Sequence, residues 1–147
     1  MPDAQPPSVH VFPVRVYYED TDAGGVVYYA NYLKYAERAR TEMLREQDIE
    51  SSRLMAEHDV AFAVRRTEAD FLKSARLDDA LEVHSRVLNV GGATLTAEQI
   101  VKRGGEDLVV FQMKLACVGT SGGPMRIPKS ISAILKTLCN TNYSTED

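Results

Sequence analysis

Residues 17–47 read YYEDTDAGGVVYYANYLKYAERARTEMLREQ, and the fold turns on how this stretch changes period. Upstream of it and into it, Val14, Val16 and Tyr18 alternate with Arg15, Tyr17 and Glu19, the spacing of a half-buried strand. The run Asp20 to Gly25 is rich in turn formers and breaks that strand. From Asn31 to Gln47 the spacing becomes helical, with Tyr32, Tyr35, Ala36, Ala39 and Met43 on one stripe. Lys34, Arg38, Thr41, Glu42 and Arg45 fall away from it, and no Gly or Pro interrupts. The spacing therefore predicts one helix of about 25 Å.

Downstream the chain turns β-rich. Val60 to about Lys73 alternates imperfectly, as a strand with a bulge would. Leu81–Val90, Thr94–Arg103 and Leu108–Val118 read as three clear strands, parted by Gly91-Gly92 and Gly104-Gly105. The second glycine pair is a two-residue hairpin signal, so these strands form an antiparallel meander. Pro128 to Leu138 reads as a short terminal helix. The expectation is an α+β layer structure: a sheet of roughly five antiparallel strands wrapped around one long central helix. Open sheet edges are commonly paired, which predicts a dimer. Residues 1–10 and 139–147 are expected to be flexible ends around a single domain of 11–138, with fraying from about Thr137.

The 147 residues suit one domain, and 44% apolar content can build its core. A formal charge of −4 gives little electrostatic footing for nucleic acid. Cys117 and Cys139 have no metal or CxxC spacing, and Cys117 shares an alternating face with Val109, Phe111, Met113 and Leu115. The polar, Pro-rich start has no signal-peptide core, and no run approaches the ~20 apolar residues of a membrane helix. A soluble protein in a reducing compartment is expected.

Glu19, Asp20 and Asp22 lie within four residues, just ahead of a helix start. Like charges this close disfavour joint ionisation, which would raise at least one pKa. A helix start also offers unpaired N–H groups and the positive end of the dipole. Together they suit acyl transfer without a metal: a carboxylate attacks, or activates water against, a carbonyl that the amides polarise. On spacing alone, ordinary helix capping and a tight Gly24-Gly25 turn explain the same residues more simply.

Resemblance tips that balance. The block Asp20-Thr21-Asp22-Ala23-Gly24-Gly25-Val26-Val27-Tyr28-Tyr29-Ala30-Asn31-Tyr32 resembles the D-x-D-x-x-G-V-V-Y-(H/Y)-x-N-Y motif of the YbgC branch of the 4-hydroxybenzoyl-CoA thioesterase-like hotdog family. Glu37 to Glu42, Ala75 to Asp79 and Arg126 to Lys129 continue the likeness, which covers about residues 11–137. It implies a hotdog fold that hydrolyses acyl-CoA thioesters, short-chain or aryl, to free acid and coenzyme A. Asp22 would be the catalytic carboxylate, as nucleophile or general base, and the backbone amide of Tyr29 would polarise the thioester carbonyl. Gly25, Val26, Val27, Tyr28, Asn31 and Tyr32 would line the substrate site. Arg126 and Lys129 are candidates for the phosphates of coenzyme A, which enters only as part of the substrate; Lys73, Lys102 and Arg103 are weaker ones.

The resemblance also implies a homodimer or homotetramer whose subunits share the coenzyme A pocket, a cytoplasmic setting beside the Tol–Pal system, and a link to acyl carrier protein. Two departures stand out. Tyr29 replaces a histidine common in the branch, which leaves a backbone role intact and removes a side-chain one. Ser74 replaces a common proline, a local loop difference. Rival readings are a hydratase on the same fold, which would want a histidine near Asp22, and a non-catalytic adaptor for acyl carrier protein or lipid-synthesis enzymes. His10, His58 and His84 are scattered, and no GxSxG elbow or phosphate-binding glycine loop occurs.

Overall fold

A computed structural model describes residues 8–139; the flexible ends expected for 1–7 and 140–147 lie outside the described residues. The elements, in chain order, are β1 (His10–Arg15), α1 (Asn31–Glu46), α2 (Ser51–His58), β2 (Val60–Phe71), β3 (Ala80–Val90), β4 (Thr94–Arg103), β5 (Glu106–Gly119) and α3 (Lys129–Leu138). The five strands form one antiparallel sheet in the order β1-β3-β4-β5-β2. β3, β4 and β5 are the expected meander, and β1 and β2 are its edges. Pro13 sits on edge strand β1, where a missing N–H costs no ladder bond.

α1 lies chiefly over β1, β3 and β4, and it buries the predicted stripe: Tyr32, Tyr35, Ala36, Ala39 and Met43. Against that stripe pack Val16, Val27, Leu81, Val83, Val101, Leu108, Val109, Phe111 and Met113. A second cluster joins Met43 to Leu54, Val87, Leu95, Leu115, Cys117 and the inner face of α3. One polar link crosses the core. Gln99, 0% exposed, donates to the Ala36 carbonyl (2.9 Å) and the Ser85 hydroxyl (2.8 Å), and accepts from Arg40 (3.0 Å). Such a group costs nothing while fully paired and a good deal otherwise.

The structure departs from the sequence reading in three places. β1 ends at Arg15, and Tyr18 to Asp20 form a 3₁₀ turn, leaving Tyr18 81% exposed. The Asp20 carboxylate closes that turn on the Tyr17 N–H (2.9 Å), so local bonding overrides the alternation. α2 was unforeseen, because its eight residues bury only Leu54 and show no period. Thr137 and Leu138 belong to α3, and Cys139 is buried with its thiol against the Leu88 carbonyl (3.0 Å), so the fold continues past the expected fraying point. The predicted bulge in β2 falls between Val64 and Arg66.

Candidate active site

The Asp20–Tyr29 segment is a tight reversal held almost wholly by main-chain bonds. The Asp22 N–H donates to the Val26 carbonyl (2.9 Å), and the Gly25 N–H to the Asp22 carbonyl (3.0 Å). Gly25 has φ 79°, a conformation that side chains other than glycine's resist. Val27 N–H reaches the Ala75 carbonyl (2.9 Å), and Val26 bridges to Arg76, which moors the loop to the segment after β2. The Asp20 carbonyl accepts from the Tyr28 N–H (2.9 Å) and from the Asn31 side chain (2.8 Å), tying the loop to the first residue of α1.

Within this frame the Asp22 carboxylate is exposed, and one oxygen accepts the Gly24 N–H at 2.9 Å. A Cβ at residue 24 would stand 3.3 Å from that oxygen, so glycine keeps the approach open. The three clustered carboxylates are separated by their bonding: Asp20 turns back to Tyr17, Asp22 to Gly24, and Glu19 lies exposed. At the entrance to α1 the N–H groups of Asn31, Tyr32 and Leu33 are taken by the carbonyls of Tyr28, Tyr29 and Ala30. Those of Tyr29 and Ala30 donate to no acceptor among the described residues. An exposed carboxylate and unspent amides thus share one short loop, the pairing that acyl transfer needs.

The other candidates divide. Tyr28 and Tyr29 are exposed, their rings 4.9 Å apart, and Tyr29 packs edge-on to Phe71 at 6.1 Å. The contact with the Tyr29 hydroxyl pushes the Tyr28 phenol up. Gly25 is exposed and Val26 half-buried beside them. Val27 and Tyr32 face the core, and the Tyr32 hydroxyl accepts the Ala75 N–H (2.9 Å) while burial pushes its pKa up. They hold the loop from beneath, as Asn31 does from the side. Tyr35 is buried deeper: burial first and the nearby Asp20 carboxylate second push its phenol up, although its hydroxyl is aligned with no partner.

Arg126 and Lys129 lie at the far end of the sheet. Arg126 packs on Gly92 in the β3–β4 turn, and the Ile127 N–H meets the Gly92 carbonyl (2.8 Å). The Asp22 loop is moored near the start of β3, so an eleven-residue strand, roughly 35 Å long, separates the two groups in one chain. Of the weaker cations, Lys73 and Arg103 are spent on structure. Arg103 pairs with Asp79 (2.8 Å) and Glu106 (2.9 Å), Lys73 with Glu106 (2.6 Å), and Lys102 with Asp107 (2.8 Å). Burial works against the Asp79 charge, but the Arg76 N–H and the Arg103 guanidinium hold its carboxyl below the usual range. This network braces residues 73–79, the segment on which the Asp22 loop hangs. Sequence reasoning missed that brace and the Phe71 ring, since both depend on contacts between residues distant in the chain.

Comparison with known proteins now bears on this arrangement. Residues 24–110 match the family model described as thioesterase superfamily. The chain is 46% identical over 123 residues to the acyl-CoA thioesterase YbgC of Haemophilus influenzae, covering 83% of this chain and 90% of that one. It is 45% identical over 127 residues to the acyl-CoA thioester hydrolase YbgC of Escherichia coli O157:H7, covering 85% of this chain and 94% of that one. A crystal structure of a probable thioesterase from Bartonella henselae superposes with a TM-score of 0.80 at 35% identity, over 82% of this chain and all of the other. The five-stranded sheet around a central helix is thus the hotdog fold, and the chain belongs to the thioesterase superfamily, within the YbgC family.

Proposed function

We propose that this protein hydrolyses acyl-CoA thioesters to free acid and coenzyme A, with Asp22 as the catalytic carboxylate. The observation that carries the reading is the exposed Asp22 carboxylate, fixed by the Gly24 amide in the loop whose next residues present the unspent Tyr29 and Ala30 amides. A thioester carbonyl seated on the Tyr29 N–H has its oxygen polarised as negative charge develops. Asp22 then either attacks the carbonyl carbon, so that the C–S bond breaks and water hydrolyses the resulting mixed anhydride, or takes the proton of a water that attacks the carbonyl directly; in both routes the thiolate of coenzyme A departs and the free acid forms. The names of the YbgC relatives support the same substrate class. Gly25, Val26 and Tyr28 form the rim, with Val27, Asn31 and Tyr32 as its support.

The working unit in this proposal is a homodimer or a pair of dimers, in which a second subunit completes the coenzyme A pocket. A cytoplasmic setting beside the Tol–Pal system, and acyl carrier protein as a partner, belong to the same proposal and rest on the likeness to YbgC. No helix among the described residues is long and apolar enough to cross a membrane.

The test is thiol release from acetyl- to palmitoyl-CoA and benzoyl-CoA by wild type and Asp22→Asn. The account expects wild-type turnover of some ester and a loss of at least about a hundredfold in the folded variant. Unchanged turnover in Asp22→Asn would move the chemistry elsewhere, and no turnover by either would favour an adaptor.

A further inference from the structure

The Asp22 carboxylate and the Tyr29 amide are placed by different parts of the molecule. Thr21 bridges to Val27 and Val26 to Arg76, both antiparallel, so residues 26–27 run as the middle of three short lengths of chain. On one side the Val26 carbonyl accepts the Asp22 N–H; on the other the Val27 N–H donates to the Ala75 carbonyl, both at 2.9 Å. Residues 22–25 are exposed, so packing does not seat them. Asp22 therefore stands where residues 75–76 put it. The Tyr29 amide instead follows α1, because the Tyr29 carbonyl accepts the Tyr32 N–H and the helix is seated by its buried stripe. The distance from carboxylate to amide thus depends on where residues 75–76 lie relative to the helix.

Few contacts place residues 75–76. The chain from β2 to β3 is held at one end by the Leu72 and Lys73 N–H groups on the Leu108 carbonyl (2.8 and 3.1 Å). At the other end the Asp78 N–H donates to the Val16 carbonyl (3.1 Å). Between these ends the Ala75 N–H donates to the Tyr32 hydroxyl (2.9 Å), a hold from the helix side. The hold from the sheet side is Arg103, the last residue of β4. Its Nη1 donates to the Ser74 carbonyl (3.2 Å) and to the Asp79 carboxylate (2.8 Å), and the same Asp79 oxygen accepts the Arg76 N–H (2.8 Å). Its Nε and Nη2 donate to Glu106 (3.2 and 2.9 Å), at the start of β5. Among the described residues no other strand side chain bonds to residues 74–76. One planar fork therefore ties the β4–β5 hairpin to both flanks of Ala75.

We propose that Arg103 is a positioning residue for the Asp22 site: through Ser74 and Asp79 it sets where residues 75–76 lie, and so the distance between the Asp22 carboxylate and the Tyr29 amide. This rests on the proposed hydrolase reading and adds to it a residue that touches no reacting group yet sets the geometry of turnover. A reacting group misplaced by about 1 Å can lose a hundredfold in rate. The Tyr32 hydroxyl still holds Ala75 when the guanidinium is gone, so the loss expected here is smaller. It falls on kcat and spares KM, because the rim that meets the substrate keeps its side chains.

Two measurements on the full chain decide this. The first is steady-state hydrolysis of acetyl- to palmitoyl-CoA and benzoyl-CoA. Arg103→Met should lower kcat at least about tenfold with KM within about threefold. Arg103→Lys, which keeps the charge and loses the fork, should fall between that variant and wild type. Arg86→Met is the control: Arg86 pairs with Glu98 at the same 2.8 Å and the same 32% side-chain exposure as Arg103 with Asp79, but it has no link to the loop. Its kcat should stay within about twofold of wild type. An unchanged kcat in Arg103→Met, a loss confined to KM, or an equal loss in Arg86→Met overturns the proposal. The second measurement is amide hydrogen exchange. In Arg103→Met the Val27 N–H should exchange at least about tenfold faster than in wild type, while the Ala39 and Met43 amides of α1 keep their rates. An unchanged Val27 rate, or the same acceleration at all three amides, overturns it. Should Arg103→Met not fold, Arg103→Lys carries both measurements, with losses of about threefold expected. If wild type cleaves none of the esters, the hydrolase reading is what fails. Faster exchange confined to Val27 then upholds the hold of Arg103 on the loop, and its absence overturns that as well.

Discussion

The two ends of α1 are built by different means. At its N-terminal end the Asp22 loop is fixed by main-chain hydrogen bonds, one glycine with positive φ and a brace of ion pairs, and its reactive groups stay in the open. At its C-terminal end, packing sets the geometry: Met43, Leu54, Leu95 and Leu115 meet around a recess, while one polar link through Gln99 pins the middle of the helix to the sheet. Polar bonding can hold a charged group precisely in water, whereas apolar packing shapes a hole for something uncharged. The difference teaches that bonding sets position at one end of the helix and packing sets shape at the other.

Mutations should separate those roles. The largest effect expected is on chemistry alone: Asp22→Asn removes the carboxylate yet keeps an acceptor for the Gly24 amide. Denaturant melting should place its stability within about 0.5 kcal/mol of wild type, while thiol release collapses. Next comes Gln99→Leu, which takes a partner from the half-buried Arg40 guanidinium and leaves the buried Ser85 hydroxyl without one. Urea unfolding should register a loss of about 2–4 kcal/mol, and a variant as stable as wild type would show that the link is dispensable.

The brace behind the Asp22 loop should matter less. Asp79→Asn weakens its bonds to Arg103 and to the Arg76 N–H, at a cost of about 1–2 kcal/mol in thermal or chemical melts. The sign of its pH dependence follows from the direction of the shift. A carboxyl held below its unfolded value, about 3.9, stabilises the fold fully above that pH, and this contribution is lost as the pH falls through the folded value. Wild type should therefore lose stability more steeply than Asp79→Asn below about pH 4. Smallest of all is Tyr35→Phe. Its hydroxyl is buried with no aligned partner, so removing it should change stability by no more than about 0.5 kcal/mol.

The same contrast explains what could be read in advance. The stripe of α1, the meander, the bulge in β2 and the loop of Asp22 are carried by short spacings: periods of two and 3.6, paired glycines, a block of thirteen residues. Local bonding misled where it overrode periodicity, as at Tyr18, where the Asp20 carboxylate turned the expected strand into a 3₁₀ turn. α2 could not be read because a single buried leucine has no period. The brace of Lys73, Asp79, Arg103 and Glu106, the recess beside Arg40 and the separation of Arg126 from Asp22 all depend on which strands lie side by side. Spacing along the chain says nothing of that.

The most direct test of the central claim follows the Tyr29 amide itself. In ¹⁵N-labelled Asp22→Asn, saturation with the cognate acyl-CoA should move the Tyr29 amide proton downfield, as a new hydrogen bond to the thioester oxygen forms. Tyr29 and Ala30 resonances that stay in place, while amides elsewhere respond to the same ligand, would contradict the account.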